Sequence, residues 1–114
     1  MSPITTHVLD TALGRPASGV PVHLELLDNG SWRVLGHGLT DVDGRLRTLL
    51  PSQHKLSTDT YRITFDTGTY FRALGVPRFF HPTVTIQFLV HGPDEHYHVP
   101  LLLSPFGYST YRGS

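Results

Sequence analysis

The chain has 114 residues, nine basic and nine acidic side chains, no cysteine and eight histidines. That length holds one domain, over residues 1–114, whose folding buries roughly two-thirds of the unfolded chain's surface. The missing cysteines exclude disulfides and thiolate metal sites, and the zero net charge lacks the basic bias of a nucleic-acid or anionic-membrane binder.

Met1 to His7 lack the basic and long apolar regions of a signal peptide, and no apolar run approaches the ~20 residues of a membrane span. A cytoplasmic protein that contacts neither nucleic acid nor membrane is expected. Taken in chain order, the pattern is mostly period two, interrupted by turn residues, which predicts an all-β domain. Thr5-Thr6-His7-Val8-Leu9-Asp10 is the first strand. Val20, Val22, Leu24 and Leu26 alternate with Pro21, His23 and Glu25 in the next long one. Asp28-Asn29-Gly30 is a hairpin turn, because Asn-Gly accepts positive φ, and Trp32-Arg33-Val34-Leu35 resumes the strand. After the turn Asp41-Val42-Asp43-Gly44, a strand is expected from Arg45 to Leu50, with Leu46, Thr48 and Leu50 on one face and Arg45 and Arg47 on the other. Tyr61, Ile63 and Phe65 mark a further strand. Between Gly68 and Gly75 the apolar residues fall at helical spacing, which predicts one short helix near residues 68–75. Val84, Ile86, Phe88 and Val90 form the next alternating run, and Tyr97, Val99, Leu101 and Leu103 give the apolar face of the last long strand. Seven or eight short strands at this spacing favour a two-sheet β-sandwich.

Three places carry candidate chemistry. His96-Tyr97-His98 puts Tyr97 with the core and both histidines on the opposite face. Arg45 lies on the non-core face of its strand, and His7 sits in the first strand. The chain then runs through Tyr108 to Tyr111-Arg112-Gly113-Ser114. Domain ends usually drift toward small polar residues, so this concentration of tyrosine and arginine leads us to expect a docked tail that takes part in a site. Sequence spacing alone does not bring His7, Arg45, His98 and the tail together.

Three blocks of sequence do connect them to a family. They are Thr6-His7-Val8-Leu9-Asp10 with Gly14-Arg15-Pro16-Ala17 and Val20-Pro21-Val22; Thr40-Asp41-Val42-Asp43-Gly44-Arg45; and Glu95-His96-Tyr97-His98-Val99-Pro100-Leu101-Leu102-Leu103-Ser104 with Gly107 to Ser114. Over essentially its whole length the chain resembles the transthyretin-related 5-hydroxyisourate hydrolases. It departs from them slightly at Phe79-Phe80-His81-Pro82, where the family usually runs Phe-Phe-Pro. The resemblance implies a transthyretin-like sandwich with a short helix, a homotetramer, and active sites in grooves between dimers. It also implies hydrolysis of 5-hydroxyisourate to 2-oxo-4-hydroxy-4-carboxy-5-ureidoimidazoline in urate catabolism, with no metal or organic cofactor.

Carried over residue by residue, His7, Arg45, His98 and Ser114 are the expected catalytic residues. His7, Arg45, Tyr111, Arg112 and Gly113 are the expected substrate-binding ones. On this reading His7 and His98 orient and deprotonate water, and Arg45 binds the ring and stabilises developing negative charge. Tyr111 and the Arg112-Gly113 backbone touch the flat heterocycle. Ser114 orients a histidine or the water, through its hydroxyl or a terminal carboxylate. Two alternatives use the same residues: a non-catalytic small-ligand carrier of the same fold, and a zinc hydrolase with His7, His96 and His98 as ligands.

Overall fold

The computed structural model describes residues 2–114; Met1 lies outside the described residues. Nine strands and one helix follow in chain order: β1 (Ile4–Asp10), β2 (Arg15–Pro16), β3 (Pro21–Asp28), β4 (Ser31–Leu39), β5 (Arg45–Leu46), β6 (Thr60–Phe65), α1 (Thr67–Ala73), β7 (Val84–Leu89), β8 (Tyr97–Ser104) and β9 (Gly107–Thr110). They form two sheets. One has the order β2-β1-β8-β9, with β5 also paired to β1; the other is β4-β3-β6-β7. Among the described residues no helix is long and apolar enough to cross a membrane.

Alternation explains which side chains fill the space between the sheets. Val22 and Leu24 of β3, Tyr61, Ile63 and Phe65 of β6, and Val84 of β7 are all buried. They share one core cluster with Ile4 and Val8 of β1 and with Val99, Leu101 and Leu103 of β8. Burying each of these large apolar side chains contributes about 1.5–3 kcal/mol, so the faces that alternation assigned to the core hold the sandwich together. The β3–β4 hairpin turns at Asn29 (φ 51°) and Gly30 (φ 81°), the pair of positive φ angles that a tight two-residue turn needs. Helix α1 starts at Asp66, whose carboxylate accepts a hydrogen bond from the Thr69 amide at 3.1 Å.

Two local expectations are corrected. The strand expected from Arg45 to Leu50 pairs only over Arg45–Leu46. Beyond it Thr48 is exposed, whereas the consecutive residues Leu49 and Leu50 are both buried, so the expected alternation does not continue to Leu50. Tertiary contacts pull this segment off the sheet. The Leu49 carbonyl presses against Gly36 of β4, where any side chain would collide, and the Leu50 amide donates to Ser2 Oγ at 3.1 Å. Leu49 and Leu50 thereby join the core cluster. The second correction is β9, a hairpin partner of β8 that the sequence pattern does not announce. Tyr108, Ser109 and Thr110 are all exposed, so no alternation marks them.

Candidate active site

The site is assembled by strand register on the outer face of the larger sheet. Strand β1 runs parallel to β8 with Thr5 opposite His98 and His7 opposite Pro100. On its other side β1 is antiparallel to β5, with His7 opposite Arg45. Residues two apart on a strand share a face, so Thr5 and His7 point the same way and bring His98 and Arg45 to one surface. The turn before β5 fixes Arg45. Asp41 Oδ1 accepts from the amides of Asp43 and Arg45, both at 2.9 Å.

A cavity of about 280 Å³ opens there, lined by Thr5, Arg45, Arg47, His96, His98 and Ser114, among others. His98 is half-buried, and its Nδ1 lies 2.8 Å from Thr5 Oγ1. Burial, and then the positive charge of Arg45, hold its pKa below the ordinary 6.5, with smaller contributions from His7 and His96. The shift favours the neutral form of the His98 ring. His7 stands beside the cavity. Its Nε2–H donates to the Asp43 carbonyl at 2.9 Å; since a carbonyl only accepts, the neutral ring has its bare nitrogen at Nδ1.

The tail is docked. After β9, the Gly113 amide donates to the His98 carbonyl at 2.8 Å. Gly113 lies so close over His98 that a Cβ there would sit 2.6 Å from ring Cδ2 and 3.1 Å from Pro100 Cγ. Arg112 anchors this arrangement from outside. Its guanidinium stacks 4.3 Å from the Tyr97 ring centroid and donates to Glu95 Oε1 at 3.0 Å and to the His96 carbonyl at 3.2 Å. Ser114 is thereby delivered to the cavity.

Of the expected site residues, the structure brings Arg45, His98 and Ser114 to one cavity, with His7 beside it and Gly113 over His98. The side chains of Tyr111 and Arg112 go elsewhere. Both line a separate groove of about 310 Å³ with Ile86, Phe88 and Leu89, and His98 borders this groove as well. Thr5 and Arg47 are site residues that the sequence reading did not nominate. Thr5 was open to discovery from alternation, two positions before His7. Among the described residues no group of three or more His, Asp or Glu side chains has metal-holding geometry. His96 and His98 each direct a nitrogen to Thr5 Oγ1, and His7 directs Nε2 to a carbonyl.

A two-sheet sandwich that carries histidines and arginines on one outer face, under a docked tail, is a transthyretin-like protein with a polar cavity on that face. The chain belongs to the HIUase/transthyretin family, whose model matches residues 4–113. It is 46% identical over 111 residues to the 5-hydroxyisourate hydrolase of Salmonella dublin, covering 97% of this chain and 80% of that one. The structure of Klebsiella pneumoniae 5-hydroxyisourate hydrolase superposes with a TM-score of 0.83 at 34% identity, covering 97% of this chain and 98% of that one. Sea bream transthyretin in complex with thyroxine superposes with a TM-score of 0.89 at 32% identity, covering 97% and 94%.

Proposed function

We propose that this enzyme hydrolyses 5-hydroxyisourate to 2-oxo-4-hydroxy-4-carboxy-5-ureidoimidazoline in urate catabolism, with His98 as the base that activates water. The observation that carries the reading is His98 itself. It is half-buried and kept neutral beside Arg45, with Nδ1 engaged by Thr5 and Gly113 packed over the ring. The relative in Salmonella dublin, 46% identical to this chain, is a hydrolase of that name.

Ring opening needs a water deprotonated, an oxyanion stabilised and a nitrogen protonated. His98 takes the water proton as oxygen attacks the ring carbonyl; the C–N bond then breaks and the proton passes to the departing nitrogen. Arg45 and Arg47 present two guanidinium groups to the same cavity, suited to an electron-rich ring and to charge growing on the carbonyl oxygen. His7, whose Nε2 is engaged by the Asp43 carbonyl and whose Nδ1 is left open, is the second proton-transfer group. Ser114 orients the water or the substrate, and Gly113 holds the His98 ring. Tyr111 contacts the heterocycle only if the substrate reaches the second groove, and Arg112 acts through the tail that it anchors. The reading includes one hydrolase domain over residues 1–114, a homotetramer and a cytoplasmic location, all supported by the family resemblance. The carrier alternative shares the fold of the sea bream protein, but the arginines and histidines of this cavity suit catalysis better than passive binding of an aromatic ligand.

The test is decay of freshly generated 5-hydroxyisourate, followed by absorbance with and without a chelator, on a sample whose mass is measured by light scattering. The expected result is acceleration by the protein, unchanged by chelation, from particles of tetramer mass. No acceleration would overturn the reaction, and loss with chelator restored by zinc would favour the metal mechanism.

The pH profile follows from the depressed pKa of His98. Lowering the pKa extends the neutral form to more acidic solutions. The acid limb of kcat/KM, which reports the free enzyme, is therefore expected below pH 6.5. A limb above that value would contradict His98 as the base.

A further inference from the structure

Thr5 is 3% exposed, yet it lies on the outer face of its sheet, and two histidines claim its hydroxyl. Its Oγ1 lies 2.8 Å from His98 Nδ1 and 3.1 Å from His96 Nε2, and the two rings stack with centroids 6.4 Å apart at 17°. We infer that Thr5 is a positioning residue for the reaction: its shared hydroxyl, with His96 as outer partner, fixes which nitrogen His98 presents to the cavity. The inference rests on the proposed role of His98 as base.

A hydroxyl has one proton to give and lone pairs to accept with. Between two neutral imidazoles it donates to one and accepts from the other, so the two tautomers are tied together. When His98 Nδ1–H donates to Thr5, the hydroxyl donates to His96 Nε2, and His98 Nε2 is left bare for the water. In the opposite arrangement His96 Nε2–H donates to Thr5, Thr5 donates to His98 Nδ1, and His98 carries its proton on Nε2, ready to give it up. Passing from the first to the second takes one proton in at His98 Nε2 and releases one from His96 Nδ1. His96 is exposed, so that proton goes to solvent, and the reverse shift restores the base. Neither ring ends the exchange charged, which matters beside the guanidinium groups of Arg45 and Arg47. Without the hydroxyl, nothing holds Nδ1 or couples the tautomer of His98 to that of His96.

The experiment compares Thr5→Val, Thr5→Ser and His96→Phe with the parent enzyme by steady-state kinetics. It also follows the ring-nitrogen NMR signals of His98 in the resting proteins. Thr5→Val keeps the shape and removes the hydroxyl. It is expected to lower kcat roughly tenfold or more, with KM within about twofold, since an acid–base group is kept but misprotonated. Thr5→Ser should stay within about threefold of the parent because the hydroxyl returns. The His98 signals should report one tautomer balance shared by the parent and Thr5→Ser, and a different balance in Thr5→Val and His96→Phe, where the coupling to His96 is lost. Parent-like kcat in Thr5→Val, equal damage from Thr5→Ser, or an unchanged tautomer in both Thr5→Val and His96→Phe would overturn the inference. A tautomer change in proteins that do not hydrolyse 5-hydroxyisourate would support the positioning role while refuting the substrate. If Thr5→Val does not fold, Thr5→Ser and His96→Phe decide the matter by the same signals.

Discussion

His98→Asn is expected to cut turnover by about 100-fold or more, equivalent to about 2.7 kcal/mol of lost transition-state stabilisation. Asparagine places its amide near the position of the imidazole Nδ1, so the contact with Thr5 is kept, and the loss falls on Nε2, which has no equivalent. The fold should hardly notice. His98 is on the outer face of β8, while its neighbours Tyr97 and Val99 supply the core. The asparagine also needs no deprotonation to be tolerated beside Arg45. Thermal unfolding and turnover measured on the same preparation separate the two effects. Near-normal turnover in a folded variant would remove His98 from the mechanism.

Deleting Tyr111 to Ser114 is expected to reduce turnover at least as much, through different physics. The tail adds little to the stability of the sandwich. Its Arg112–Glu95 pair is about half exposed on both sides, a class worth about 0–1 kcal/mol. The Gly113–His98 backbone hydrogen bond adds about 0.5–1.5 kcal/mol. A drop in Tm of no more than roughly 10 °C follows. Catalysis loses more, because deletion takes Ser114 from the cavity, removes the packing over the His98 ring and opens that ring to water. Gly113→Ala is the smallest version of the same damage. Its added methyl would meet His98 Cδ2 at 2.6 Å, so ring or tail must move. Turnover, Tm and particle mass of both variants check the argument. An active, folded truncation would show that the docked tail plays no part in the reaction.

Fold alone does not choose between the carrier and enzyme readings. What favours the enzyme is the environment built around His98. Burial and a neighbouring cation keep the ring neutral, a hydroxyl occupies one nitrogen, and a glycine lets the backbone close over it. Each of these is a condition on proton transfer, and none is needed to hold a ligand passively.

By itself the sequence determined the strands whose faces are set by period-two burial. β3, β6, β7 and β8 lie where alternation placed them, the Asn29-Gly30 hairpin turns as its chemistry requires, and the helix occupies Thr67–Ala73 against an expectation near 68–75. It also placed His98 on the non-core face, because Tyr97 and Val99 had to be buried. The tertiary structure alone decided what meets what. Thr5 and His98 are 93 residues apart. Their pairing is a matter of register between β1 and β8, which is fixed by packing both inner faces into one core rather than by any local period. The same packing drew Leu49 and Leu50 off the expected strand, and the hairpin with β8 created β9 from residues without alternation. Arg112 is the clearest case. The family resemblance implied a substrate contact through the Arg112-Gly113 backbone; the structure adds that the guanidinium is held by the Tyr97 ring and the Glu95 carboxylate while the backbone of Gly113 reaches His98.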